Sequence, residues 1–143
     1  MLALGFGGMH DLVWQAASVQ WSTGHRHEAV LAAAKAANSR LQEKLGRRDL
    51  SEVKLVREAL SDKAAELGRP RLRFPHISDD QTRESMRQGV MGFGAGCFQA
   101  IRNPVGHLPN DEHELEEHSA LERLAALSLF LRWIDEAVLE TAE

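Results

Sequence analysis

The run Arg102-Asn103-Pro104-Val105-Gly106-His107 sets a permanent cation near a group that exchanges protons around neutral pH. A guanidinium grips phosphate oxygens with a rigid fork of donors, and an imidazole serves as general acid or base. Together they supply two ingredients of phosphodiester cleavage. Proline disfavours helical geometry at the residue before it, so Asn103 is expected to cap a new turn beginning at Pro104. Gly106 then gives the chain freedom to turn His107 back towards Arg102, and Pro109 limits its wandering. Each side chain also has a plainer use. Arg102 would make a salt bridge to an acidic helix, His107 a hydrogen bond that steadies the loop, and Asn103 a cap rather than a substrate contact.

The remaining reactive residue types are less promising. His113-Glu114-Leu115-Glu116-Glu117-His118 is one residue too long for the zinc motif H-E-x-x-H. Five helical residues rotate about 500°, which leaves the two rings about 140° apart around the axis. His25-Arg26-His27 has no partner ligands at diagnostic spacing, so no metal and no cofactor is expected. Cys97 is the single cysteine, which rules out an intrachain disulfide, and its apolar neighbours suggest a small core residue. Gly89, Gly92, Gly94 and Gly96 do not make a phosphate loop, because no strand precedes them and no Lys-Ser/Thr pair closes them.

The elements that must position Arg102 and His107 read as helices. Leu12, Val13, Ala16, Ala17 and Val19 give an apolar side to a first helix from about Met9 to Trp21, which Ser22-Thr23-Gly24 breaks. An alanine-rich stripe from Val30 to Leu45 marks a second from about His25, stopped by Gly46. Asp49-Leu50-Ser51-Glu52 has the form of a capping box before a short helix to about Leu60, and Ser78-Asp79-Asp80-Gln81 repeats it before a helix to about Arg102. Interior glycines in that helix cost about 1 kcal/mol each, which calls for close packing against the alanine-rich helix or a second copy. Asp111 and Glu114 can box the last helix, to about Glu140, with Ala120, Leu124, Leu127, Leu131, Ile134 and Val138 on one face. Between residues 68 and 77 two prolines predict irregular structure or a small hairpin. The sum is an all-α bundle of four to five helices in a single domain, with its core over about residues 9–140.

Composition is compatible with this. A chain of 143 residues, 43% of them hydrophobic, can bury one genuine core and has no run long enough to cross a bilayer. The apolar start Met1-Leu2-Ala3-Leu4-Gly5-Phe6 lacks the basic leading region of a secretory signal, so a cytoplasmic location is expected. The net charge of −4 hides a division: residues 1–109 carry 15 Lys/Arg against 11 Asp/Glu, and residues 110–143 carry 2 against 10. Basic residues crowd from Arg40 to Arg73, which leaves an anionic partner open.

Arg102, four intervening residues and His107, with polar Asn103 after the arginine, resemble the Arg-x(4–6)-His signature of the HEPN superfamily. The wider chain is similar to the Ymh family within it, through Gln88-Gly89, Ala100-Ile101-Arg102-Asn103-Pro104 with His107, and Ser128-x-x-x-Arg132-x-x-Asp135-x-Ala137. The resemblance implies a helical homodimer whose two motifs face one another across a cleft, with RNA as substrate. It implies a metal-independent endoribonuclease in phage defence or acting as a toxin, one that leaves 2',3'-cyclic phosphate and 5'-hydroxyl ends. Arg102 and His107 would be catalytic and Asn103 supporting. His27 and Glu28, at the start of the second helix, are further candidates for the cleft. A protein antitoxin could cap such a site. The variant signature Arg-x4-His-x-Tyr, whose tyrosine is modified, is not matched, since the chain contains no tyrosine. The competing classes are a noncatalytic nucleic-acid or nucleotide-binding HEPN module and a structural dimerisation protein.

Overall fold

The computed structural model describes residues 8–104 and 114–143. Among the described residues five helices form the body: α1 (Asp11–Ser22), α2 (Arg26–Leu45), α3 (Glu52–Ala59), α4 (Asp80–Gly96), which continues as a π-helical segment Cys97–Arg102, and α5 (Glu117–Glu136). Two three-residue strands, β1 (Arg71–Arg73) and β2 (Val138–Glu140), complete an otherwise all-α bundle. Among the described residues no helix is long and apolar enough to cross a membrane.

The alanine-rich stripe does what small side chains allow. Ala29, Ala33, Ala34 and Ala37 are fully buried, so α2 runs through the middle of the bundle and packs closely against α1, α5 and the π-helical segment. Gly46 ends α2 in the left-handed conformation, φ 65°, with its N–H on the carbonyls of Gln42 and Glu43. From α5, Ala120, Leu124, Leu127, Leu131 and Ile134 are buried at the predicted three- and four-residue spacing. Phe98 and Phe130 meet edge to face at 6.0 Å between ring centroids, as do Phe93 and Trp133 at 5.4 Å. On α1 the apolar side is narrower than expected: Val13 and Ala17 are buried, but Val19 is 68% exposed.

Helix starts differ from the predicted boxes. α3 begins two residues later than a cap at Asp49 would place it, with Ser51 as N-cap and no side-chain capping bond. The Asp49 carboxylate is taken by Arg47, whose hydrogen bonds hold it below the usual carboxylate range. At α4 the cap is Asp79, not Ser78; it accepts from the backbone N–H and the hydroxyl of Thr82, which lowers its pKa. Asp111, the other half of the box expected at α5, lies outside the described residues. Glu114 caps a different helix, since its Oε1 accepts the His27 N–H in the first turn of α2 at 2.7 Å. Arg26 ties the same segment down by donating from Nε to the Leu115 carbonyl at 2.6 Å.

The last helix also stops short of Glu140. Lys44 donates to the carbonyls of Ile134, Asp135 and Ala137 at 2.7, 3.1 and 2.6 Å, which satisfies the C-terminal acceptors of α5. The chain leaves as β2 and pairs antiparallel with β1, Leu72 opposite Leu139. The irregular segment therefore holds a strand whose partner is the C-terminal chain. A local turn also forms, Glu66 with Arg69 around Gly68 at φ 74°.

Only one of the four α4-region glycines is closely packed, and its neighbour is α5 rather than the expected alanine-rich helix. A Cβ on Gly94 would lie 2.4 Å from Phe130 of α5, so only a hydrogen fits there. Gly89, Gly92 and Gly96 have no atom within 4 Å of the Cβ position, so neither the alanine-rich helix nor any other described element covers them.

Candidate functional site

Arg102 closes the π-helical segment, in which the Asn103 N–H reaches back five residues to the Phe98 carbonyl. Asn103 is not a cap. It is right-handed helical, φ −67° and ψ −49°, and the helix continues into Pro104. In an α-helix the proline ring would press on the carbonyl four residues back; the wider π turn relieves that contact and lets the chain stay helical. The expected corner at Asn103 is therefore a helical shoulder. Val105, Gly106, His107 and Pro109 lie outside the described residues.

On this shoulder Arg102 has a partner that its neighbourhood in sequence does not suggest. Its Nε donates to Glu52 Oε2 at 3.0 Å, with both side chains about one quarter exposed (25% and 24%). Glu52 sits at φ 53°, a left-handed conformation that costs a residue with a Cβ about 1–2 kcal/mol. The Glu52 N–H is held there by the Asn38 Oδ1 of α2 at 2.7 Å. Asn38, Glu52 and Arg102 thus form a relay from the central helix to the motif. The signals were faint: a polar residue near the end of an alanine-rich helix, and a glutamate in an apparent box.

The two further candidates do not join this relay within one chain. His27 is 2% exposed at the first turn of α2, with Glu28 beside it. Asn38 lies eleven residues further along the same helix, about 16 Å of rise. Glu114, at the far end of the segment that contains His107, is what reaches His27. Cys97 is buried, and burial pushes its thiol up to about 11, so it is no nucleophile at neutral pH. Among the described residues no group of three or more His, Cys, Asp or Glu side chains is placed to hold a metal ion.

A second polar cluster gathers the Ser128, Arg132 and Asp135 face of α5. Ser128 Oγ accepts the His10 N–H at 2.8 Å, and Arg132 donates to the Gly8 carbonyl. His10 Nε2 meets Asp135 Oδ2 at 2.6 Å, while Arg40 donates to Asp135 Oδ1 at 3.1 Å. Burial works to raise the Asp135 pKa, but the hydrogen bond from His10 and the hydrogen bond and charge of Arg40 outweigh it and hold the carboxyl below its usual value. His10 Nδ1 accepts the Leu12 N–H at 3.1 Å as the cap of α1, which assigns the ring proton to Nε2. Both ring nitrogens are thereby engaged, so His10 braces α1 against α5 rather than offering a general base. Spacing of four and three residues put Ser128, Arg132 and Asp135 on one face; nothing in the sequence pointed to His10 as their target.

No curated protein and no solved structure matches the chain. Residues 7–134 match the family described as a protein of unknown function, Hypoth_ymh, and the chain belongs to that family.

Proposed function

We propose that this chain is a HEPN-type, metal-independent endoribonuclease that acts as a homodimer. The observation that carries this reading is the placement of Arg102: a partly exposed guanidinium on a π-helical shoulder, steadied by one carboxylate, directly before the segment that holds His107. π turns inside helices recur at functional sites, and a fixed guanidinium is suited to the charge that builds on non-bridging oxygens. The nucleophile would be the 2'-hydroxyl of the RNA itself. Its proton passes to a base as the 2'-oxygen bonds to phosphorus, and the 5'-oxygen leaves as it takes up a proton. The products are a 2',3'-cyclic phosphate and a 5'-hydroxyl. His107 of one protomer performs one proton transfer, and the partner's His107 performs the other. Asn103, one residue beyond Arg102, would contact the RNA or orient His107. A toxin or phage-defence role would follow from uncontrolled RNA cleavage, and a protein antitoxin would act by covering the cleft.

The Arg102–Glu52 ion pair favours a second reading. A guanidinium already neutralised by a carboxylate is what a noncatalytic binding module or a structural dimerisation protein would retain. Incubation of the purified protein with mixed RNAs in chelator separates the readings. Cleavage with cyclic-phosphate ends, lost in both Arg102→Ala and His107→Ala, supports the enzyme. Cleavage retained in both variants removes the proposed site, and tight binding without cleavage supports the binding module.

A further inference from the structure

A cavity of about 310 Å³ opens between the end of α3, the following loop and β1, away from the Arg102 relay. Its base is Arg71, which is only 2% exposed. Arginine keeps its charge in every surrounding, so a buried guanidinium requires acceptors for its donors. Arg71 Nε has one, the Lys63 carbonyl at 3.2 Å, whereas Nη1 is buried without a hydrogen-bond partner among the described residues. The carboxylate opposite in the sheet, on Glu140, does not serve Arg71; it lies 3.4 Å from Arg73 Nε. The neighbouring Ser61 Oγ on the cavity wall is likewise buried and without a partner.

The charges around these two atoms have one sign in excess. Arg57, Lys63 and Arg69 join Arg71 on the wall, against Glu58 and Glu66. Glu58 is paired with Arg47, from outside the cavity lining, and Glu66 lies 3.7 Å from Arg69. We propose that this cavity binds a phosphate group, with Arg71 Nη1 and Ser61 Oγ donating to its oxygens and Lys63 and Arg57 closing over it from the rim. A dianion would match the surplus of positive charge, and both donors would gain the acceptor they lack. The volume is at the small end of ligand pockets, which suits free phosphate or the phosphate end of a sugar phosphate rather than a polymer.

Calorimetric titration of the full chain with inorganic phosphate and with ribose 5-phosphate, at constant ionic strength, tests this. One phosphate group per chain should bind, about tenfold or more weaker in Arg71→Gln and severalfold weaker in Ser61→Ala and Lys63→Gln. Tighter binding of ribose 5-phosphate would identify an organic phosphate as the ligand, and equal binding the free ion. Arg102→Ala should leave the titration unchanged, so this site and the proposed RNA site stand or fall separately. Ser61→Ala and Lys63→Gln decide the matter if Arg71→Gln does not fold. No saturable phosphate binding in the wild type, or binding indifferent to Ser61→Ala and Lys63→Gln, would overturn the proposal.

Discussion

Arg102 is tethered to Glu52 across fifty positions of chain, Nε to Oε2 at 3.0 Å. The same carboxylate that steadies the guanidinium must compete with any phosphate brought to it. Glu52→Gln keeps the shape and removes the charge, and should strengthen RNA binding severalfold in a filter-binding titration. It should cost less than about 1 kcal/mol of stability, because the pair is partly exposed. Unchanged RNA affinity would count against Arg102 as a phosphate ligand.

The glycines of α4 separate by environment. Gly94→Ala would drive a methyl into the Phe130 ring and should destabilise the fold by about 1–3 kcal/mol. Gly89→Ala and Gly92→Ala meet open space on an exposed helix face and should stabilise by about 0.5–1 kcal/mol. Urea unfolding reads all three. A loss of stability in Gly89→Ala or Gly92→Ala, reversed by dilution, would reveal a second copy packed on that face.

Lys44→Met tests how α5 ends. The ammonium serves three carbonyls at the point where helix gives way to β2, and burial lowers its pKa despite the nearby Asp135 charge. Loss of these bonds should cost about 1.5–3 kcal/mol, read as a Tm lower by several degrees. Amide exchange at Leu139, in β2, should accelerate with it.

The long apolar helices were legible because burial repeats with the helical period: the stripe of α2 and the Gly46 stop appear as read, and the stripe of α5 appears as far as Ile134, whereas Val138 lies exposed in β2. Glu114 on the His27 N–H, Asn38 on the Glu52 N–H and His10 on Asp135 were not, since a single polar contact between distant residues leaves no periodic trace. Local rules also misled where a longer-range contact outweighed them. Arg47 took Asp49 from its expected cap, and the π turn made room for Pro104 within a helix. Leu72 and Leu139 pair although neither segment carries a strand-length pattern.

Asp135 should shape the acid limb of stability. Its folded pKa is depressed, so its contribution is complete above the unfolded value of about 3.9 and is lost as pH falls through the folded value. Asp135→Asn should therefore be less stable than wild type at pH 7, by less than about 1 kcal/mol for a carboxylate this exposed. The two stability curves should converge below about pH 4. A gap that stays constant down to acid would show that shape, not charge, is what Asn fails to replace.

The pairing of Arg71 with Glu140 has a consequence for how the molecule is made. β1 has no strand to join until nearly all of the described chain has followed it. Closing so long a loop is entropically late, so α1 to α4 can collapse on their own stripes while the β clasp waits. The loop that carries Ser61, Lys63 and Arg71 then acquires its final shape in the last step of folding, when the acidic end of the chain is drawn onto its basic middle.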